Sequence, residues 1–520
     1  MSQYLPPQTE KLQKKIKHIV VLMLENRSFD NLLGWLYDEE KPPNSQYFEG
    51  LNDDLWNPLD NIDSNGMPFV EKVPIQKNGV KKSKYGKTES VPVDYCFPDP
   101  DPGEGFKDTN HQLFSEYNVG ALYPPQPINM GFVQNYQNAM LYGAYSFGDS
   151  PSNPRDIMKC FTPEQTPVLS SLAKNFAVCD HYHCSIPSQT LPNRSFVHAA
   201  TSGGNVNNSP NSFTDSKTIY NQIQDAIDGG RNDLSWGVFS SNMMPTSYYK
   251  KQKDKPGETK DDHFSLTRLC MTQLHDPKYD DNFGTIDDFK QKCADGTLPS
   301  YSFLEPCYGG EDQNDQHPPA DIRPGEQLMA DLYNAVKTSK SFENTLFIIT
   351  YDEHGGCYDH VPPPGEAKNP DPNNQPGQEG FLFNRFGVRV PCIVINPYIT
   401  QGLIARPKGY VPFDHTSIIK TVQECFKLEG HLTARDEAAP SFSAVLTEAS
   451  PRTSFPEVTP QKWDTKIDVD HENDLHRVMG KMVNKLTGDS NDSGDKHHLE
   501  HLQESYSKHF IHRNKEHLTK

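Results

Sequence analysis

The stretch His18–Arg27, HIVVLMLENR, opens with seven residues of strand length and stops abruptly at Glu25, Asn26 and Arg27. A continuous apolar run with no polar alternation is the pattern of a strand covered on both faces, as in the middle of a parallel sheet. A second run, TLFIIT at 345–350, leads into Tyr351, Asp352, Glu353, His354, Gly355 and Gly356. Before it, Leu328, Met329, Leu332, Tyr333, Ala335 and Val336 recur at helical spacing within Gly325–Ser339. A third run, VPCIVI at 390–395, follows a Pro- and Asn-rich loop at 362–380, and a further helix is expected from Asp414, with that residue as its cap. A short strand is also expected near Phe176–Cys179. Strands alternating with helices imply an α/β sandwich.

In open α/β sheets, ligand groups collect beyond the carboxyl ends of the strands. Glu25 and Asn26 follow the first run, and Asp352 and Glu353 follow the second. Any one of these acids alone reads more readily as the cap of a following turn or helix. Together at one sheet edge they would repel each other and lose hydration, and a cation would relieve both costs. Hard oxygen donors suit Mg²⁺, Mn²⁺ or Ca²⁺, while nearby histidines leave Zn²⁺ open.

The chain has 520 residues, 34% hydrophobic, enough for a large core in one or two domains. With 69 acidic against 50 basic side chains, a net charge of −19, it lacks the cationic surface a general nucleic-acid binder needs. The 43 prolines and 34 glycines, with a mean hydropathy of −0.75, point to long loops around a modest core. Residues 37–108 have little periodicity and read as an elaborated insertion, and 203–218 and 251–262 read as polar loops. Beyond about residue 448 the sequence turns polar and helical, with eight of the 20 histidines between His471 and His517 and a Gly-, Ser-, Asn- and Asp-rich linker at 487–495. These histidines read as surface positions of an appendage more readily than as metal ligands. The ten cysteines show no C-x-x-C pair and read as buried thiols. No run reaches the length of a membrane-spanning helix, and the N-terminus lacks a classical secretory signal. The expected location is therefore the cytoplasm, or export by a non-Sec route.

A third segment, SIPSQTLPNRSF at 185–196, puts hydroxyls in a proline-stiffened turn just before a helix. Thr190 near that N-terminus has two readings: a helix cap, or a hydroxyl that a neighbouring metal and helix N–H groups convert to a nucleophile. His111, His317 and His360 lie in loops, where a histidine serves as surface residue, phosphate partner or proton donor. Arg194 is either a phosphate fork or a carboxylate partner.

Five ordered motifs carry a more specific signal: KHIVVLMLENRSFDNLLGWL (17–36), PSQTLPNRSFVHAATSGG (187–204), NDQHPPADIRPGEQL (314–328), FIITYDEHGGCYDHVPPP (347–364) and NRFGVRVPCIVINPYI (384–399). In these segments the chain resembles the phosphoesterase family, which holds bacterial phospholipases C, an acid phosphatase and the plant non-specific phospholipases C. The similarity runs from about Lys17 to Asp436.

The resemblance implies an alkaline-phosphatase-like three-layer α/β/α sandwich with loop insertions. Its catalytic domain would span residues 1–447, and a mainly helical tail or small domain 448–520. It implies a divalent metal held by Glu25, Asn26, Thr190, Asp352 and Glu353, with Thr190 as nucleophile. Asn193, His111 and His317 would contact non-bridging or leaving oxygens, and Arg194 and His354 join them as substrate-binding candidates. Asp359 and His360 match the pattern after the Gly-Gly pair, so His360 is a catalytic candidate whose alternative is bracing the loop; His415 also matches, with no role attached. The threonine followed by Pro192, Asn193 and Arg194 looks more like the phospholipase C branch than the phosphatase branch. The expected reaction is hydrolysis of phosphatidylcholine- or phosphatidylethanolamine-like lipids at a membrane surface to diacylglycerol and a phosphorylated head group. The alternatives are a phosphomonoesterase of the same fold and a non-catalytic lipid-binding protein.

Overall fold

In the computed structural model the described residues are 4–82, 88–120, 126–142, 153–241, 263–310, 312–371, 376–463, 474–488, 502–503 and 505–511. The loop at 251–262, the linker beyond Gly488 and six of the eight tail histidines lie outside them.

The centre of the molecule is an eight-stranded sheet. In chain order its strands are β1 (His18–Leu24), β2 (Ala177–Val178), β3 (Trp236–Ser240), β4 (Phe283–Thr285), β5 (Tyr301–Glu305), β6 (Thr345–Tyr351), β7 (Cys392–Ile395) and β8 (Leu403–Ile404). In space they run β4-β3-β5-β1-β6-β7-β2-β8. All pair in parallel except β7, which is antiparallel to both β6 and β2. The VPCIVI run thus forms a buried strand, as its composition predicts, but in the reversed direction. Direction depends on how the preceding loop returns to the sheet, and no side-chain pattern encodes that.

Ile19 through Leu24 are fully buried, which is why β1 carries no polar position. Eight helices are used below: α1 (Thr9–Lys15), α2 (Phe106–Phe114), α3 (Pro167–Asn175), α4 (Thr190–Ala199), α5 (Ile286–Asp295), α6 (Arg323–Thr338), α7 (His415–Phe426) and α8 (Asp474–Thr487). One layer has α6 packed between α5 and α3; the other has α7 packed against α1 and α4. The result is a three-layer α/β/α sandwich, with Asp414 at the N-cap of α7.

Two regions differ from their sequence reading. Within 37–108, Trp56–Ile62 and Pro68–Pro74 pair as an antiparallel hairpin, and the segment after Phe97 turns into the centre of the molecule. At the other end, Leu475, Met479, Met482 and Val483 of α8, with Leu502, Tyr506 and Phe510, belong to the same hydrophobic core as the central sheet. The described part of the tail is docked on the main core and does not stand apart from it. All ten cysteines are free thiols, and no helix among the described residues is long and apolar enough to cross a membrane.

Candidate active site

The register of the two central strands sets the site. Leu24 of β1 lies opposite Tyr351 of β6, so Glu25 and Asp352 leave the sheet side by side at its carboxyl edge. Asn26 adopts a left-handed conformation, φ 53°, and its N–H donates to Asp352 Oδ1 at 3.0 Å. Asparagine tolerates that region better than most residues. Glu353 N–H donates to the same Oδ1 at 2.7 Å, and Glu353 Oε2 accepts from Gly355 N–H at 2.7 Å.

Helix α4 supplies the third element. Its N-cap is Gln189, not Thr190. Thr190 is the first helical residue, fully buried, with Oγ1 3.3 Å from Glu25 Oε2 and 3.4 Å from Asn26 Oδ1. Of its two sequence readings, the cap is therefore excluded. Pro192 falls in the first turn, where its missing N–H costs nothing.

Arg194 lies four residues on, on the same helix face as Thr190. Its Nε donates to Asp352 Oδ2 at 3.2 Å, its second terminal nitrogen pairs with Glu25 Oε1 and reaches the Met23 and Leu24 carbonyls at 3.3 Å, and the guanidinium lies over the Tyr308 ring at 5.3 Å. Of the two roles open to it, Arg194 takes that of carboxylate partner. One buried cation against two buried acids leaves the site short of positive charge. Burial, opposed by Arg194 and reinforced by Asp352, pushes the Glu25 carboxyl well above its ordinary pKa. A carboxylate, an amide oxygen and a hydroxyl converging from two elements, with that charge deficit, fit a hard divalent cation.

The remaining candidates are placed as follows. His317 is fully buried; its Nε2 lies 2.9 Å from Asn26 Nδ2 and its Nδ1 2.7 Å from the Pro318 carbonyl. Burial pulls its pKa down to about 4, so the neutral ring donates from Nδ1 and accepts at Nε2. Asn193 follows Thr190 by three residues, but its amide is committed to the preceding turn: Oδ1 accepts from Ile186 N–H at 3.0 Å and Nδ2 donates to the Ser188 carbonyl at 2.8 Å. His354 pairs with Gln112 Oε1 at 2.7 Å and faces Glu353 Oε2 at 3.1 Å. His111, on α2, is stacked on Tyr117 at 4.3 Å, and its Nδ1 is buried with no hydrogen-bond partner.

His360 is drawn into a different cluster. Its Nδ1 donates to Asp30 Oδ2 at 2.7 Å, while Arg389 bridges Asp30 and Asp359 at 2.9 Å each. Glu25, Asn26, Thr190, Asp352, Arg194 and His317 are thus brought into contact with one another; His360 and the Asn193 amide are engaged elsewhere.

Three site residues escaped the sequence reading. Glu104, from the supposed insertion, accepts from Asn26 Nδ2 through one carboxylate oxygen and from Gln189 Nε2 at 3.4 Å through the other. Asp101, Glu104 and His317 bring ligand atoms within 4.8 Å of one another, as do Asp30, Asp359 and His360. Asp315 accepts the Glu25 N–H on its backbone carbonyl at 2.9 Å and the His317 N–H on its carboxylate at 3.1 Å. The signal for Asp101 and Glu104 was present in the acidic DPDPGEG run just ahead of α2, masked by its loop composition. His415, without a role from sequence, donates or accepts at both nitrogens, 2.5 Å from the Asp352 carbonyl and 2.8 Å from Tyr182 Oη, and so steadies the β6 edge.

The phosphoesterase family profile matches residues 16–429. Non-specific phospholipase C3 of Arabidopsis thaliana is 34% identical over 461 residues, covering 86% of this chain and 76% of that protein. Phospholipase C B of Mycobacterium tuberculosis is 26% identical, covering 84% of this chain and 78% of its own. Among solved structures, a protein in the alkaline phosphatase superfamily from Vibrio parahaemolyticus aligns with a TM-score of 0.27 at 14% identity, covering 54% of this chain and 65% of that one. A phosphonate monoester hydrolase from Silicibacter pomeroyi gives 0.30 at 11%, covering 60% and 74%. The profile match over most of the sequence and the curated relatives carry the assignment: this chain belongs to the phosphoesterase family.

Proposed function

We propose that the protein is a phospholipase C, cleaving glycerophospholipids on the glycerol side of phosphorus with Thr190 as nucleophile. The observation that carries this reading is Thr190 Oγ1, buried at a helix N-terminus and 3.3 Å from Glu25 Oε2 and 3.4 Å from Asn26 Oδ1. The names of the relatives supply the substrate class. Glu25, Asn26, Asp352 and Glu353 would hold a divalent ion with Thr190, and the ion supplies Lewis acidity that lowers the hydroxyl pKa and offsets charge on the phosphoryl oxygens.

The chain's own residues do the rest. Thr190 is oriented by α4, and Glu25 is the nearest acceptor for its hydroxyl proton. Attack forms the Thr190 O–P bond and breaks the bond to the glycerol oxygen, which takes up a proton and leaves as diacylglycerol. His111 is the proton donor in this scheme, a role that burial, by lowering its pKa, confines to the rings that carry the extra proton, and His317 holds the Asn26 amide in place. Water then cleaves the phosphothreonine, releasing the phosphorylated head group and restoring the hydroxyl. Thr190 is the first residue of α4, so the positive end of the helix dipole favours the developing charge. The exposed apolar side chains Ile62, Met67, Phe69 and Val70 of the hairpin offer a surface for the lipid interface.

The test is Thr190→Ala, assayed on phosphatidylcholine in mixed micelles alongside an aryl monophosphate. Turnover of the lipid should fall by at least about 10³-fold with an unchanged circular dichroism spectrum. Wild-type rates in the variant would remove the nucleophile. A wild-type preference for the monoester by orders of magnitude would make the protein a phosphomonoesterase instead.

A further inference from the structure

Arg385 is a buried cation without a counter-ion. It is 7% exposed, and among the described residues no carboxylate pairs with it. A single hydrogen bond holds it, from one terminal nitrogen to Asn110 Oδ1 at 3.0 Å. Its Nε and its other terminal nitrogen have no partner. The guanidinium lies over three phenyl rings, Phe106 at 5.8 Å, Phe114 at 5.3 Å and Phe381 at 5.2 Å. Burial lowers its pKa to about 10, which leaves it charged at neutral pH. Cation–π contacts offset part of the cost of burying that charge, but they leave the in-plane N–H groups unsatisfied.

The position is on the wall of the site. Asn110 belongs to α2, and Phe106, the first residue of that helix, comes two residues after Glu104, which bonds Asn26. The next residue, His111, offers a second partnerless nitrogen, and both Asn110 and His111 lie against Tyr117. One turn of helix, about 6 Å of rise, separates Asn110 from Phe106, so Arg385 is set back from Asn26 along α2. A cation offset in this way from Thr190 suits the far end of a head group better than the oxygens on a phosphorus held there. A quaternary ammonium is disfavoured, because the ring faces that would receive it already carry the guanidinium.

We propose that Arg385, presented by Asn110 and the three phenyl rings, is a specificity-determining subsite for an anionic group at the distal end of the lipid head group: a carboxylate, as on phosphoserine, or a phosphomonoester, as on a phosphorylated inositol. The subsite rests on the phosphodiesterase reading above for its substrate, yet its chemistry is testable by binding alone. The unused N–H groups on Nε and the other terminal nitrogen are donors for the oxygens of either group.

The experiment has two arms. In the first, kcat/KM is measured on mixed micelles of phosphatidylserine, phosphatidylinositol 4-phosphate and phosphatidylcholine for wild type, Arg385→Gln and Asn110→Asp. Asn110→Asp replaces the amide acceptor by a carboxylate that neutralises Arg385 from within the protein, so the cation is paired without a ligand even where Arg385→Gln fails to fold. The ratio of anionic-lipid to choline-lipid kcat/KM should fall by tenfold or more in both, and the two anionic lipids tell carboxylate from phosphate. In the second arm, calorimetry compares glycerophosphoserine with glycerophosphocholine. Wild type should bind the serine compound at least fivefold more tightly, and both variants should lose that preference. Equal binding of the two compounds by wild type, or an unchanged ratio in a folded variant, overturns the subsite. A wild type that hydrolyses none of the lipids yet keeps the binding preference overturns the phospholipase reading and leaves the subsite standing.

Discussion

At the scale of single residues, the two buried acid clusters are handled differently. Around Thr190, one guanidinium serves Glu25 and Asp352, and Glu25 is left with an elevated pKa. Around His360 the charges nearly balance: Asp30 and Asp359 face Arg389 and the imidazole, with Glu49 4.0 Å from its Nε2. Burial works against charge on His360, but Asp30 outweighs it and holds the imidazolium above its usual pKa. Asp30, against its own burial, is held below the ordinary carboxylate range by His360 and Arg389. A base raised in the folded state contributes stability that is complete below its unfolded pKa, near 6.5, and is lost as pH rises through the folded value. An acid lowered in the folded state contributes above about 3.9 and loses that contribution on acidification. The pair is therefore strongest between about pH 4 and 6.5. The Tm difference between wild type and His360→Gln should be larger at about pH 5.5 than at about pH 9, and a difference that grows toward high pH would contradict this assignment.

At the scale of elements, the site depends on backbone turns as much as on the strands. Gly355 has φ 59°, and a Cβ there would lie 2.2 Å from the Asn26 carbonyl oxygen. Both the left-handed backbone and the contact require glycine, so the β6 turn and the β1 turn can only close together in this form. Gly355→Ala should push Asn26 away from Thr190 by a fraction of an ångström or more. Turnover should drop on the order of 100-fold. The conformational strain itself costs only about 1–2 kcal/mol, so the protein should remain folded by circular dichroism. Wild-type kcat in the alanine variant would show that the two turns do not position each other.

At the scale of the whole molecule, the C-terminal residues are part of the structure that supports the site. Helix α8 seats Met479 and Met482 in the main core, and His476 Nε2 contacts the carbonyl of Tyr308, whose ring lies under Arg194. Met479→Ala should lower unfolding stability by about 2–5 kcal/mol and leave a single cooperative transition in urea. A separate early transition, with the remainder unchanged, would mean that the tail unfolds on its own.

Much of the fold was legible because it is written in local patterns. Residues 18–24 and 345–350 are apolar at every position, which only a doubly covered strand explains, and the acids after them marked the sheet edge where chemistry collects. The five motifs added the family, and with it Thr190. Three features were not legible. The direction of β7 depends on a loop path, the membership of Glu104 in the site depends on a polar segment folding inward, and the partner of Arg194 depends on which of several buried acids lies within reach. Sequence periodicity records which face of an element is buried. Only the tertiary structure decides which buried charges meet, because ion pairing in a low-dielectric interior is settled by distances between residues far apart in the chain.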